Sequence, residues 1–173
     1  ESGGDLDEAM SILRKKGLAT MAKRAGRDTT EGKVVSKISD DGKTAVICSL
    51  CCETDFAAKS EDFVEVAGKL VDYAMACTAD EGIEALAATE LDGVKLEKTI
   101  TDMVSKTGEK TELGDYIKYK LDGTGTFATY IHFNNKIGAL IEVEASSDDV
   151  ASAIAETARE IAMHISATNP VAV

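Results

Sequence analysis

The chain opens with two runs of apolar residues spaced every three or four positions, the spacing of one helix face. The first run follows a helix start at Gly4-Asp5 and is predicted to end near Gly17, and the second is closed by Gly26 and has a basic opposite face. The runs consist of Leu6, Ala9, Met10 and Leu13, and of Leu18, Met21, Ala22 and Ala25. Because so short a helical piece has little to pack against, residues 1–26 are predicted to be the end of a small N-terminal helical domain that begins before Glu1, with a basic linker helix.

β-Branched residues dominate the next two segments, Lys33–Ser39 and Thr44–Cys52, which flank the hairpin-turn sequence Asp40-Asp41-Gly42-Lys43. Ser60 then caps a helix that carries one continuous apolar stripe. The stripe consists of Phe63, Val66, Ala67, Leu70, Ala74 and Cys77. The pattern predicts a strand pair followed by an amphipathic helix.

The later part of the chain repeats strands and helices in another order. A weaker helix is predicted from about Val94 to Lys106, with Leu96, Ile100, Met103 and Val104 facing inward. Three antiparallel strands are predicted at Gly114–Leu121, Phe127–Phe133 and Ile137–Ala145. A final alanine-rich helix opens at Asp148 and stops at Asn169-Pro170, with Val150, Ile154, Ala158, Ile161 and Ile165 along one face.

Consecutive strands joined by short turns pair antiparallel, so the predicted fold class is α+β. We expect antiparallel sheets with helices packed on one side, preceded by the remnant of the helical domain. Residues 27–173 form the predicted core, with an N-side part at about 27–110 and a C-side part at 111–173. Gly123-Thr124-Gly125 lies between two strands and no helix follows it, so a phosphate-binding loop is not expected there.

The net charge of −12 repels phosphate backbones, so nucleic acid is not expected as a direct ligand. The charge is uneven, because eight basic residues stand against two acidic ones from Arg14 to Lys37, whereas 25 acidic and 11 basic residues follow. Such a basic neck favours a protein that meets other macromolecules, although a solvated charged helix is its commoner meaning. No apolar stretch approaches the roughly 20 residues of a membrane-spanning helix, so no membrane is expected as a partner.

Residues that could carry covalent chemistry are few and scattered. Cys48, Cys51 and Cys52 share one predicted strand, which argues against a disulfide framework and for a reducing compartment. The single Cys-x-x-Cys has no second ligand pair, and His132 and His164 are distant in sequence, so buried apolar cysteines are favoured over a metal site. No residue at a recognisable spacing supplies a base for Cys52 as nucleophile. We therefore expect no enzyme, metal or cofactor.

The junction between the second strand and its following helix places a carboxylate beside a large aromatic residue. Thr54-Asp55-Phe56 has two interpretations. In the first, Thr54 or Asp55 caps the helix and Phe56 packs against its first turns. In the second, Phe56 is an exposed aromatic anchor on a rigidly supported loop, of the kind that protein interfaces prefer. The residues alone leave both open.

The segment Cys52-Glu53-Thr54-Asp55-Phe56-Ala57-Ala58-Lys59 resembles the signature of the translation elongation factor Ts family. Further segments agree with the family in order and spacing. They are Arg14-Lys15-Lys16-Gly17-Leu18-Ala19, Glu31-Gly32-Lys33-Val34, Tyr130-Ile131-His132, Lys136 to Val143, and Ile161 to Ile165 followed by Asn169-Pro170. The resemblance covers nearly the whole chain. Ser49-Leu50-Cys51, however, stands where the family usually has Glu-Val-Asn.

The resemblance implies a guanine-nucleotide exchange factor for the GTPase elongation factor Tu, which does no covalent chemistry. By the same resemblance, Thr54, Asp55 and Phe56 would bind the partner. Phe56 would be the wedge that enters the G domain between two helices near its bound magnesium ion, with Asp55 as its polar companion. His132 would press on another G-domain helix. The alternative is a ribosome-associated or structural protein on the same fold, with weak or no exchange activity.

The resemblance also bears on assembly and location. The family begins with a three-helix ubiquitin-associated-like domain, and only its third helix, about Asp5 to Lys16, is expected in this chain. Short members of the family dimerise, so a homodimer and a missing C-terminal half both stay open. The expected location is a bacterial cytoplasm, or the matrix or stroma of a mitochondrion or chloroplast.

Overall fold

A computed structural model describes residues 2–170 of the chain. It has six helices, α1 Leu6–Arg24, α2 Asp55–Lys59, α3 Glu61–Ala76, α4 Ile83–Ala88, α5 Leu96–Thr107 and α6 Asp148–Thr168. Its seven strands are β1 Glu31–Ile38, β2 Thr44–Cys52, β3 Glu90–Leu91, β4 Val94–Lys95, β5 Thr111–Lys120, β6 Gly125–Ile131 and β7 Gly138–Glu144. The predicted α+β class with antiparallel sheets is confirmed. Within the described residues, none of these helices combines the length and apolarity that crossing a bilayer requires.

The main core lies between a three-stranded sheet, in the order β1-β2-β5, and helices α3 and α5. Ser60 caps α3 as predicted, since its hydroxyl accepts the N–H of Phe63 at 3.3 Å. Both predicted inward stripes are confirmed. The buried residues include Phe63, Val66, Ala67, Leu70, Ala74 and Cys77, and on α5 Leu96, Ile100, Met103 and Val104.

The predicted triplet of paired strands is wrong, because β5 pairs with β2 and not with β6. The register runs from Thr44 opposite Lys120 to Cys52 opposite Thr111, while β6 and β7 form a separate two-stranded sheet. β2 has buried side chains along most of its length, so an unpaired edge would leave buried backbone groups without partners. Pairing with β5 satisfies that edge.

The predicted helix break at Gly17 is also wrong, because α1 runs through it without interruption. Gly17 is the one buried residue of α1, and it lies against α5. A Cβ there would stand 2.0 Å from Ser105 Oγ and 3.0 Å from the carbonyl oxygen of Thr101. The glycine therefore provides a close helix contact, which Arg14 reinforces by an ion pair to Asp102 at 3.0 Å.

The predicted inward stripe of α6 is only partly correct, since Ala158 is buried and Ile154 and Ile165 are half-buried. Ala151, Ala158 and Ala162 are its buried residues, whereas Val150 and Ile161 are exposed. The helix packs against both β6 and β7, and small side chains let its backbone approach that sheet closely. The predicted helix ends are correct, with Asp148 and Asp149 in the first turn and Asn169 as the left-handed C-cap.

Candidate functional site

The turn between β2 and α2 is built around Thr54. Its backbone is extended, and its side-chain oxygen accepts the N–H of Ala57 at 3.2 Å, so Thr54 caps α2. The same hydroxyl donates to the carboxylate of Glu109 at 2.9 Å. Because Glu109 lies between α5 and β5, Thr54 both starts the short helix and ties it to a segment distant in sequence.

Phe56 projects from this helix into solvent. Its side chain is 81% exposed, whereas the next two residues, Ala57 and Ala58, are buried. A phenylalanine that packed against the following helix would be buried, so the exposure favours the interface interpretation. Asp55 beside it pairs with Lys59 at 2.7 Å, and that hydrogen bond lowers the pKa of the Asp55 carboxyl.

His132 lies in the turn that joins β6 to β7. Its ring is held on two sides, with the Tyr130 hydroxyl 3.0 Å from Nδ1 and the Phe133 ring centroid 4.4 Å away. Sequence reasoning missed Phe133, because it assigned that residue to a strand that in fact ends at Ile131. Phe133 is 87% exposed, and the available signal was an aromatic residue beside the Asn134-Asn135 turn.

Glu31, the first residue of β1, links these two places. Its carboxylate forms an ion pair with Lys136 of the β6–β7 turn at 2.6 Å. On the other side, Glu31 is paired with Cys52 at the end of β2, shortly before the Thr54–Phe56 turn. The structure therefore brings Thr54–Phe56 and the His132 turn to the same end of β1.

Glu53 is a second residue that the sequence reasoning missed. Its side chain is only 9% exposed and accepts hydrogen bonds from Arg24, Arg27 and the backbone N–H of Lys110. Burial opposes ionisation, but the Lys110 N–H and the two guanidinium groups outweigh that cost and lower the pKa of Glu53 to about 2. Glu53 lies inside the signature segment, but nothing in the sequence indicated which charged groups its carboxylate would meet.

The lowered pKa of Glu53 predicts a loss of stability in acid. In the unfolded chain this carboxyl takes up its proton near its ordinary pKa of 4.5, before the folded chain does. Its contribution is therefore complete above about pH 4.5 and is lost as the pH falls towards 2. Urea unfolding followed by circular dichroism should show that Glu53→Gln is less stable than wild type at pH 7 and that the difference shrinks between pH 4.5 and about 2.

A matched control for this titration is Glu90→Gln, which removes an exposed carboxylate from the β3–β4 hairpin. Because this side chain is exposed, the substitution should change the free energy of unfolding at pH 7 by no more than about 0.5 kcal/mol. A constant difference between wild type and Glu53→Gln across the acid range would contradict the ionised, hydrogen-bonded state of Glu53.

The cysteines are poorly placed for nucleophilic or metal chemistry. Burial, and after it the Glu109 carboxylate, raises the pKa of the Cys52 thiol to about 11, so thiolate is scarce at neutral pH. Burial raises the pKa of Cys48 to about 12. Within residues 2–170, no three His, Cys, Asp or Glu side chains form a group that could hold a metal ion.

An apolar groove of about 670 Å³ lies between α1, α4, α5 and β5. Leu18 and Met21 line one wall, and Ile83, Ile100 and Leu113 line the others. Its lining includes none of Thr54, Asp55, Phe56 and His132, so the groove is a feature apart from the candidate site.

Comparisons with known proteins agree with the resemblance in the signature segment. The sequence model of the family described as Elongation factor TS matches residues 53–173. Proteins named Elongation factor Ts are similar over nearly the whole chain. Identity is 35% to that of a Nitratiruptor species, 38% to that of Clostridium acetobutylicum and 40% to that of Chlorobaculum parvum.

These alignments cover 98%, 98% and 100% of this chain, but 55%, 55% and 60% of the respective relatives. The chain thus spans little more than half the length of the relatives it matches. The family model covers well over half of the chain and includes Thr54–Phe56 and His132. The chain therefore belongs to the elongation factor Ts family.

Proposed function

We propose that this protein binds the GTPase elongation factor Tu during translation elongation and promotes release of its bound GDP. The observation that carries the proposal is the exposed ring of Phe56, which stands on a short helix whose start is fixed by Thr54. Burial of this ring by a partner would remove apolar surface from water, and aromatic side chains are preferred anchors at protein interfaces. A rigid support lowers the conformational entropy lost when that partner binds.

Exchange requires no covalent step from this chain. In the proposal, Phe56 inserts near the magnesium ion that the GTPase holds beside its GDP. Magnesium demands nearly ideal octahedral geometry, so a small displacement of its ligands from the GTPase would weaken its hold on the phosphates of GDP. Asp55 accompanies the ring as a carboxylate whose pKa is lowered by its hydrogen bond to Lys59. By linkage, a factor that weakens GDP binding must itself bind the nucleotide-free GTPase more tightly than the GDP form.

His132 and Phe133 serve as a second contact in this proposal. They lie at the same end of β1 as Phe56, and Phe133 adds an exposed ring beside the imidazole. Two separated anchors would orient the factor on its partner better than one. His132→Ala should lower the affinity for the GTPase by a smaller factor than the factor by which Phe56→Ala lowers the rate of GDP release.

The test is stopped-flow release of a fluorescent GDP analogue from elongation factor Tu. Addition of the chain should raise the release rate with a saturating dependence on its concentration. Binding without any acceleration would exclude exchange activity for this chain. Complex formation is measured separately by co-elution on gel filtration in the absence of nucleotide.

The alternative, a ribosome-associated protein, draws on the basic neck from Arg14 to Lys37. Among the residues that the structure describes, at least four of its eight basic residues already pair with carboxylates of the same chain. Those residues are Arg14, Arg24, Arg27 and Lys37. Charges used internally attract phosphate less, which favours the exchange proposal. Co-sedimentation with ribosomes that persists at high salt without the GTPase would support the alternative.

A further inference from the structure

The carboxylate of Glu53 joins three segments that are far apart in the chain. Arg24, the last residue of α1, donates from Nη1 to Oε1 at 2.8 Å and to Oε2 at 2.9 Å. Arg27, in the link between α1 and β1, donates to Oε2 at 2.8 Å, and the backbone N–H of Lys110 donates to Oε1 at 2.7 Å. Lys110 Nζ closes the cluster by donating to the carbonyl oxygen of Arg27 at 2.9 Å.

These bonds are of the strong kind. Hydrogen bonds to an ionised group are shorter and about twice as strong as neutral ones. The bonds from Arg24 and the Lys110 N–H are partly shielded from water, whereas the guanidinium of Arg27 is more exposed to solvent. A residue that accepts from three directions has little freedom to shift. The backbone at the end of β2 is consequently fixed at Glu53 and again at Thr54, whose hydroxyl is bound to Glu109.

Phe56, three residues further on, cannot fix its own direction. At 81% exposure its ring packs on too little of the chain to hold one orientation. Its direction must therefore come from the backbone that precedes it and from the cap of α2. The side chains that hold this backbone from outside are those bound to Glu53 and Thr54.

We propose that Glu53 is a positioning residue, which holds the Thr54–Phe56 turn in the direction that a partner requires and ties that direction to the end of α1. For its effect on the GTPase this inference rests on the proposed function. A movement of α1 would pass through Arg24 to Glu53 and from there to Phe56. Glu53 itself contacts no partner in this account.

The first test measures the turn itself, without any GTPase. The chain contains no tryptophan, so Phe56→Trp creates a single tryptophan at the tip, which can be excited selectively over the four tyrosines. Adding Glu53→Gln to this variant should raise the amplitude of the fast phase in time-resolved anisotropy about twofold, because the turn gains nanosecond freedom. Far-UV circular dichroism and the slow tumbling time should stay unchanged.

The control is Glu65→Gln in the same reporter background. It removes the same charge from an exposed pair with Lys69 on α3 and should leave the anisotropy decay unaltered. An unaltered decay in folded Glu53→Gln would overturn the positioning role, whatever the exchange activity. If Glu53→Gln does not fold, Arg27→Gln removes one donor from a half-exposed position and must show a smaller rise of the same kind.

The second test uses exchange kinetics with Phe56 in place. In Glu53→Gln the turn is expected to hold Phe56 in the binding direction for about a tenth of the time. Half-maximal GDP release should then require about tenfold more factor, with the plateau rate unchanged. If Glu53 had a purely structural role, the variant would only contain a smaller fraction of active protein. The half-saturating concentration, counted in active protein, would then equal that of wild type. If wild type gives no acceleration, the proposed function fails and the anisotropy result still decides on Glu53.

Discussion

Phe56→Ala is expected to lower the plateau rate of GDP release from elongation factor Tu by about 30-fold. Because Phe56 is proposed to act in the displacement of the magnesium ligands, its truncation is expected to remove about 2 kcal/mol of stabilisation from the transition state for GDP release. Each 1.4 kcal/mol is a factor of about ten in rate. Folding should be unaffected, because the 81% exposed ring contributes little to the core. Stopped-flow release of fluorescent GDP at saturating factor measures the plateau, and urea unfolding should agree with wild type within about 0.5 kcal/mol.

The control for Phe56→Ala is Ile83→Ala, which shortens another exposed apolar side chain, on α4. That variant should retain the wild-type plateau. A wild-type plateau in Phe56→Ala would remove Phe56 from the working surface. The two variants should also differ in kind. Phe56→Ala should lower the plateau rate of GDP release, whereas Glu53→Gln should raise the concentration of factor needed for half-maximal release.

Gly32→Ala is expected to destabilise the fold by about 3 kcal/mol or more. Gly32 has φ +148°, and an added Cβ would stand 2.1 Å from the carbonyl oxygen of Leu50 and 2.9 Å from Cys51 Cα. Both are backbone atoms of the paired strand β2, so relief requires the ladder to separate. Backbone strain and overpacking each cost about 1–3 kcal/mol, and here they act together. Urea unfolding followed by circular dichroism measures the loss.

Gly68→Ala is the control, and it should change the free energy of unfolding in the opposite direction. Gly68 lies on the exposed face of α3, where a Cβ meets nothing within 4 Å. Alanine inside a helix is favoured over glycine by about 0.5–1 kcal/mol, so this variant should be more stable than wild type. Equal effects of the two substitutions would show that the close contact between β1 and β2 is absent in solution.

The helices of the core were predictable because local sequence and tertiary packing agree there. On α3 and α5 the apolar stripe is wide and regular, and both stripes are buried as their periodicity indicates. The hairpin of β1 and β2 follows from a local turn signal in the same way. The signature segment also singled out Thr54–Phe56 from a run of eight residues.

The sequence-based predictions were wrong where the structure depends on contacts between segments that are far apart in the chain. At Gly17 a local rule predicts a helix end, but contact with Ser105 on α5 gives the glycine a packing role. For β5 the short connection to β6 favours pairing with its neighbour, but the free edge of β2 takes it instead. On α6, alanine faces the sheet because close approach excludes the larger Val150 and Ile161.

The amino-acid sequence by itself therefore indicated the family, the α+β class and the importance of the stretch around Phe56. Each of these follows from local patterns, namely short motifs, apolar periodicity and turn residues. Only the tertiary structure decided that the Phe56 ring is exposed, and that the His132 turn joins it at one end of β1 through Glu31. It alone revealed the contacts of Glu53, whose three donors converge from Arg24, Arg27 and Lys110. A carboxylate acquires such a role from charges that meet only after folding, and no local pattern encodes that meeting.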